Sequence, residues 1–277
     1  MFDRANVVYS YDGTLEGLLC CVFESFLCKE TPQNIVPPDV PQLTLLPMKT
    51  ISTDPEKAQR VARSLPIKMG QEAADQFNLC YLTCLENKEM VMLEFLQQGF
   101  QYGPAVLDRL TDDTVHTINH AVGRLTGESH LLKGFIRFSV YDNMLVSIIH
   151  PKNIVIPLLQ EHFCDRFANE CFMIYDENHG MGLVYRPYEW RVIPIDDLTL
   201  NQPDEEELRY QELWRKYYDT IAIKARNNPR CRMSHMPKRY WDYMTEFGSR
   251  AIQRRQRPSG GPAVEAGSVA IGRVEGR

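Results

Sequence analysis

From about residue 53 to residue 133 the apolar side chains recur at helical spacing, and after Gly134 they alternate. A chain whose hydrophobic period changes from near 3.6 to 2 in its middle is neither a pure helical bundle nor a pure sandwich. In the first stretch, Thr53-Asp54-Pro55-Glu56 opens a helix, with proline in the first turn and an acid beside it. Phe77, Cys80, Tyr81, Cys84 and Leu85 form one stripe, and Met90, Leu93, Phe95 and Leu96 another. Thr111-Asp112-Asp113 starts a further helix through Val115, Ile118, Val122 and Leu125, predicted to end near Gly134. Beyond it, Phe135 to Val140 and Met144 to Ile149 flank Asp142-Asn143, a hairpin signal. A helix is predicted from Asn153 to Phe167, and strands at Cys171 to Tyr175, Leu183 to Tyr185 and Trp190 to Ile193.

At the N-terminus a strand over Asn6 to Ser10 leads through Asp12-Gly13 into a helix with Thr14 as N-cap. Five prolines between Pro32 and Pro47 predict an extended loop. Asp204 to Glu207 open a long helix on which Leu208, Trp214, Tyr217, Tyr218 and Ile221 face one way, closed by Lys224 and Arg226. That charge order suits the helix dipole. A last helix is predicted from Pro237 to about Phe247. Beyond Gly248 no periodicity survives, so 249–277 reads as a disordered tail. The expected class is α+β: a mostly antiparallel sheet in the middle of the chain, packed by helices from both ends. One domain is expected over 1–248, with a helical block at 53–133, a sheet region at 134–196 and C-terminal helices at 203–248.

With 44 % apolar and 24 % charged residues, the chain is neither collagen-like nor wholly disordered. No apolar run approaches the ~20 residues of a membrane span, and Met1-Phe2-Asp3-Arg4 lacks a signal-peptide layout. Eight cysteines lie in apolar periodic segments, and no CxxC pair occurs. Reduced thiols, a cytoplasmic location and no structural zinc follow as expectations. Cys80 and Cys84 lie one helical turn apart, but Asn87 stands where an iron–sulfur cradle needs its third thiolate. They are expected to pack in the core, and no cofactor or metal is expected in this chain.

Charge is unevenly spread. Twelve Lys and Arg against three acids give Arg215 to Arg257 a net +9, while the whole chain carries −5. Such asymmetry points to a polyanion on the C-terminal side. Lys238 and Arg239 open a predicted helix, where cations are disfavoured unless an anion binds there. Trp241 follows, as a stacking platform or as a half-buried ring under a lysine stem. The segment Arg226 to Trp241, with Asn227 and Arg230, is therefore a candidate phosphate contact. Arg137, on a sheet face, needs a carboxylate or a phosphate partner. Four residues are candidates for acid–base chemistry: Asp12 in its turn, His130 near a helix end, His162 beside Asp165 and Arg166, and Asp176 at a strand end. Turn, cap and ion-pair roles compete with each of these. No HExxH, GxSxG, GxxxxGK[ST] or GxGxxG occurs.

Several segments together resemble a known bacterial family. They are Tyr11-Asp12-Gly13-Thr14 with Glu16 to Leu19 and Val22-Phe23-Glu24; His130 with Gly134 to Phe138; and Pro157 to Leu159, His162-Phe163 and Arg166-Phe167. Ile174-Tyr175-Asp176 with Gly182-Leu183, Tyr210-Gln211, Leu213-Trp214, Arg226 to Pro229 and Met236 to Trp241 complete the set. The family is one of unknown function labelled DNA metabolism or DNA repair. Its members are encoded beside a radical-SAM protein, and some relatives are fused to a uracil-DNA-glycosylase-like domain. The resemblance implies an accessory protein with a nucleic-acid role beside a radical-SAM enzyme, and the residues expected to contact DNA are Arg137, Arg166, Arg226, Asn227, Arg230, Lys238, Arg239 and Trp241. The iron–sulfur cluster and SAM would sit in the partner. Two alternatives stay open: a stand-alone enzyme on DNA using Asp12, His130, His162 or Asp176, and a protein-interaction module in which Arg226, Lys238 and Arg239 are paired with acids.

Overall fold

The computed structural model of the chain describes residues 3–38 and 45–247. Pro41 and the expected disordered tail, 249–277, lie outside them. Two units divide between Thr126 and Gly127, inside a helix.

In the first unit the chain runs β1 (Asp3–Arg4), β2 (Val8–Ser10), α1 (Leu15–Cys28), β3 (Glu30–Thr31), β4 (Asn34–Val36) and β5 (Met48–Thr50). Then come α2 (Pro55–Met69), α3 (Gln71–Tyr81), α4 (Lys88–Tyr102), a 3-10 stretch at Gly103–Asp108, and α5 (Asp113–Phe135), which crosses the boundary. Thr14 caps α1 as its side chain predicts: the Gly17 N–H donates to Thr14 Oγ1 at 3.0 Å. Asp54 caps α2 by accepting from the Glu56 and Lys57 N–H groups. The prolines do not abolish strand structure, because β4 fits between Pro32 and Pro37. Every pairing here is parallel: β2 with β4 and with β5, and β1 with β3. Tyr9, Leu18, Phe77, Leu93, Phe95 and Leu96 lie in the core with Cys80. Cys84 does not join them. α3 ends at Tyr81, so the predicted stripe breaks and Cys84 is exposed. All eight cysteines are thiols.

The second unit continues with β6 (Ser139–Tyr141), β7 (Met144–Ile149), α6 (Ile156–Arg166), β8 (Phe172–Asp176), β9 (Met181–Arg186) and β10 (Glu189–Pro194). α7 (Glu205–Ile221) and α8 (Pro229–His235) follow. Asp142 and Asn143 both take positive φ, +48° and +62°, the geometry of a tight hairpin turn. The five strands lie in the order β10-β9-β8-β7-β6. The expected mostly antiparallel arrangement needs correction: the first unit's sheets are parallel and this five-stranded sheet is mixed. Here β7 pairs with β8 in parallel, because α6 carries the chain between them as a crossover. On one sheet face Phe172 stacks on Tyr185 and meets the rings of Phe138 and Phe167 edge-on. On the other, Tyr141, Val146, Ile148, Met173 and Tyr175 form a second cluster.

Two expectations fail in the C-terminal part. Pro237 to Phe247 is not one helix but two 3-10 turns, Lys238–Tyr243 and Thr245–Phe247, separated by extended backbone at Met244. More consequential is α7. Leu208, Trp214, Tyr217 and Ile221 are exposed, at 51, 40, 55 and 54 %, and the buried side chains are Glu207 and Gln211. β6 ends the sheet, and an edge strand leaves backbone groups unpaired. Glu207 accepts the outward N–H of Val140 at 3.1 Å. Gln211 Nε2 donates to Ser139 Oγ and to Glu207 Oε1. The helix is thus seated by its polar side against a polar edge.

Candidate functional site

Beside α7 the second unit has a cleft of about 620 Å³, within the size range of small-molecule sites. The end of α5 and the segment after it supply Lys133, Arg137 and Phe138. α6 supplies Phe163, Arg166 and Phe167, and α7 supplies Glu207, Tyr210, Gln211 and Trp214. Phe138, Phe163 and Phe167 form one aromatic wall, with ring centroids 5.1 to 6.3 Å apart. Tyr210 and Trp214 stand on the α7 side, 61 % and 40 % exposed.

The cations here are of two kinds. Arg137 is paired: its Nε and Nη2 donate to both carboxylate oxygens of Glu246, at 3.2 and 2.8 Å. The Glu246 side chain is only 1 % exposed and also accepts from Trp214 Nε1. Arg137 lies over the Trp214 ring, 5.7 Å from its centroid. Its partner is therefore a carboxylate. Lys133 and Arg166 are exposed, and among the described residues neither has an ion-pair partner within reach.

His162 lies on α6 and feels the charges of both cations. Burial first, then Lys133 and Arg166, hold its imidazole below the ordinary 6.5, with Asp165 opposing. Its Nε2 is buried without a hydrogen-bond partner, and Phe163 meets the ring edge-on at 4.9 Å. Because the folded pKa is depressed, the unfolded chain binds more protons just below pH 6.5. Stability is complete above that pH and falls as acid carries the solution down through it. His162→Gln should therefore lose less melting temperature than wild type between about pH 7 and about pH 5. Parallel pH profiles would refute this account.

Asp12, in the first unit, is occupied. Its Oδ1 accepts from the Thr14 N–H and hydroxyl and its Oδ2 from the Thr53 hydroxyl at 2.6 Å. The Thr53 and Thr14 hydroxyls hold it below the usual carboxylate range. His130 is exposed on α5. Asp176, 0 % exposed, closes the β8–β9 turn, accepting from the Asn178 and His179 N–H groups and holding His179 Nδ1 at 2.7 Å. No bond joins any two of the four acid–base candidates.

Among the basic candidates, Arg239 is not free for an anion. It donates to Glu128 Oε1 at 3.0 Å, and the Glu128 side chain is 2 % exposed. The helix-start argument for Lys238 and Arg239 also falls away, since only a 3-10 turn of six residues stands there. Lys238 Nζ lies 6.0 Å from the Trp241 centroid. The Trp241 indole donates to the Met236 carbonyl and stacks on Phe247 at 4.5 Å, so this ring is packed. Arg226 and Asn227 line a second groove that begins at Tyr218, one turn beyond Trp214 on α7. Arg230 is exposed on α8. Of the three cations that an interaction module would pair with acids, only Arg239 has such a partner among the described residues.

Sequence reasoning reached Arg137 and Arg166 but missed Lys133, Tyr210, Gln211 and the cleft role of Trp214. The available signals were the Tyr210-Gln211 and Leu213-Trp214 segments of the resemblance and the Glu207–Gln211 spacing, a polar pair one turn apart on α7.

A family model described as a domain of unknown function, DUF4130, matches residues 86–246 and so takes in the whole cleft. The chain belongs to that family. No curated protein and no solved structure matches it. Among the described residues no helix is long and apolar enough to cross a membrane, and no group of His, Cys, Asp or Glu is placed to hold a metal ion.

Proposed function

We propose that this protein is an accessory subunit of DNA metabolism, repair or modification, that binds single-stranded DNA and works with a radical-SAM partner encoded nearby. The observation that carries the reading is the cleft: two cations without ion-pair partners, Lys133 and Arg166, border the same concavity as the exposed rings of Tyr210 and Trp214 and the half-buried rings of Phe138 and Phe167. Cations that track phosphates and rings on which bases stack are the two requirements of single-strand binding. A second groove, with Arg226, Asn227 and Arg232, begins at Tyr218, one turn farther along α7. In this reading the cluster and SAM belong to the partner, which performs the radical chemistry while this chain holds the strand.

Fluorescence anisotropy with labelled single- and double-stranded DNA, at about 50 and about 200 mM salt, tests the DNA half of the reading. Single strands should bind more tightly, and binding should weaken steeply with salt. Co-expression with the neighbouring radical-SAM protein should give one co-eluting complex. No binding at low salt, alone or in that complex, would sink the proposal. A second reading, an enzyme acting on DNA, is favoured by one observation only: the imidazole of His162, held below its ordinary pKa by burial and by Lys133 and Arg166, with an unpartnered buried Nε2. His162→Gln separates the two, since an accessory protein should keep its full effect on the partner's turnover.

A further inference from the structure

We infer that the cleft takes one nucleotide unit of a single strand without regard to its base, the phosphate held from the α5 and α6 side and the base stacked on the α7 side. This rests on the DNA-binding reading above and specifies what that binding recognises. The first argument is segregation. The unpaired cations, Lys133 and Arg166, come from α5 and α6, whereas the most exposed rings, Tyr210 and Trp214, come from α7. A nucleotide has the same division, a charged end and a flat apolar end.

The second argument is saturation of the polar groups. Gln211 Nε2 is spent on Ser139 and Glu207, and Gln211 Oε1 accepts from Arg215. Glu207 Oε2 is spent on the Val140 N–H. Arg137 is spent on Glu246, as is the Trp214 indole. Reading a base requires donors and acceptors aimed at its edge, and these five groups already face one another. What remains on the α7 side are the ring faces of Trp214 and Tyr210, on which any base can stack, and the single Tyr210 hydroxyl. The third argument is order. Trp214 is fixed by its bond to Glu246 at 3.1 Å and by Arg137 over its ring, so the platform is set before a base arrives.

The test compares oligonucleotides of about eight residues: dT, dA and dC homopolymers and an abasic strand of equal length. The three homopolymers should bind within a few-fold of one another, and the abasic strand about tenfold more weakly. Trp214→Leu should erase the difference between abasic and dT strands, and Trp214→Phe, which keeps a ring, should restore it. Lys133→Ala/Arg166→Ala should weaken all four strands alike and flatten the salt slope by about 0.7. Circular dichroism of each variant excludes misfolding. Equal affinity for abasic and dT strands, or a tenfold preference for one base, overturns the inference while the DNA-binding reading stands. No binding by any strand at low salt removes the DNA-binding reading and this inference together.

Discussion

Replacing Glu128 with alanine should cost the second unit about 2–4 kcal/mol, as its buried donors lose their acceptor. This carboxylate is 2 % exposed and receives five donors. They are the N–H groups of Lys152 at 3.1 Å and Asn153 at 2.9 Å, Asn153 Nδ2 at 2.6 Å, Arg239 Nη2 at 3.0 Å and the Tyr240 hydroxyl at 3.0 Å. It therefore ties α5 to the loop before α6 and to the C-terminal segment. Truncation leaves a guanidinium and several neutral donors without their acceptor, and orphaned donors cost more than the bond was worth. Glu128→Gln keeps the shape and loses the charge, so it should fall between wild type and alanine. Urea denaturation followed by tryptophan fluorescence measures the effect cleanly, since Trp190, Trp214 and Trp241 all lie in the second unit. A loss below about 1 kcal/mol would show that water replaces the carboxylate at this site.

In the first unit the corresponding prediction concerns Gly17, where alanine should destabilise by about 2–3 kcal/mol. A Cβ there would lie 2.2 Å from Asp12 Oδ1 and 3.0 Å from Thr53 Oγ1. Asp12 cannot simply swing aside, because Thr14 and Thr53 hold both its oxygens. Moving it disturbs the turn and the Thr14 cap together, the latter worth about 1 kcal/mol. Alanine's better helix propensity returns about 1 kcal/mol, which the clash exceeds. A double-mutant cycle monitored by far-ultraviolet circular dichroism isolates the cause. In an Asp12→Ala background, Gly17→Ala should be close to neutral; an unchanged penalty would place the strain elsewhere.

How much of this was legible in the sequence depends on the range of the interaction. Local chemistry was legible. Thr14 and Asp54 cap helices, Asp142-Asn143 turns a hairpin, and β8 to β10 fall where alternation marks them. The parallel β7–β8 pair was implicit in the helix between them, since a crossover of that length permits parallel pairing. Partners far away in the chain were not legible. Arg137 meets Glu246 across 109 residues and Arg239 meets Tyr240's carboxylate partner, Glu128, across 111. An arginine awaiting a carboxylate looks the same in sequence as one awaiting a phosphate. Nor was the seating of α7 legible. Its apolar stripe has helical spacing, and only the unpaired edge of β6 explains why Glu207 and Gln211 face inward instead. The division at Thr126 and Gly127 has no signature either, because it falls within α5.

The inward polar face of α7 has a consequence for how that helix opens. Denaturant sensitivity scales with the surface that an opening newly exposes. Leu208, Trp214, Tyr217 and Ile221 already meet solvent in the folded state, so lifting α7 would uncover little apolar area. What holds it, besides the edge-on contact of Tyr218 with Phe247, are hydrogen bonds that water can replace at modest net cost. The amide protons of α7 would then exchange through a local fluctuation that urea hardly promotes, while those of β7 and β8 would wait for cooperative unfolding. The helix bordering the cleft is the one that the chain can release without dissolving its core.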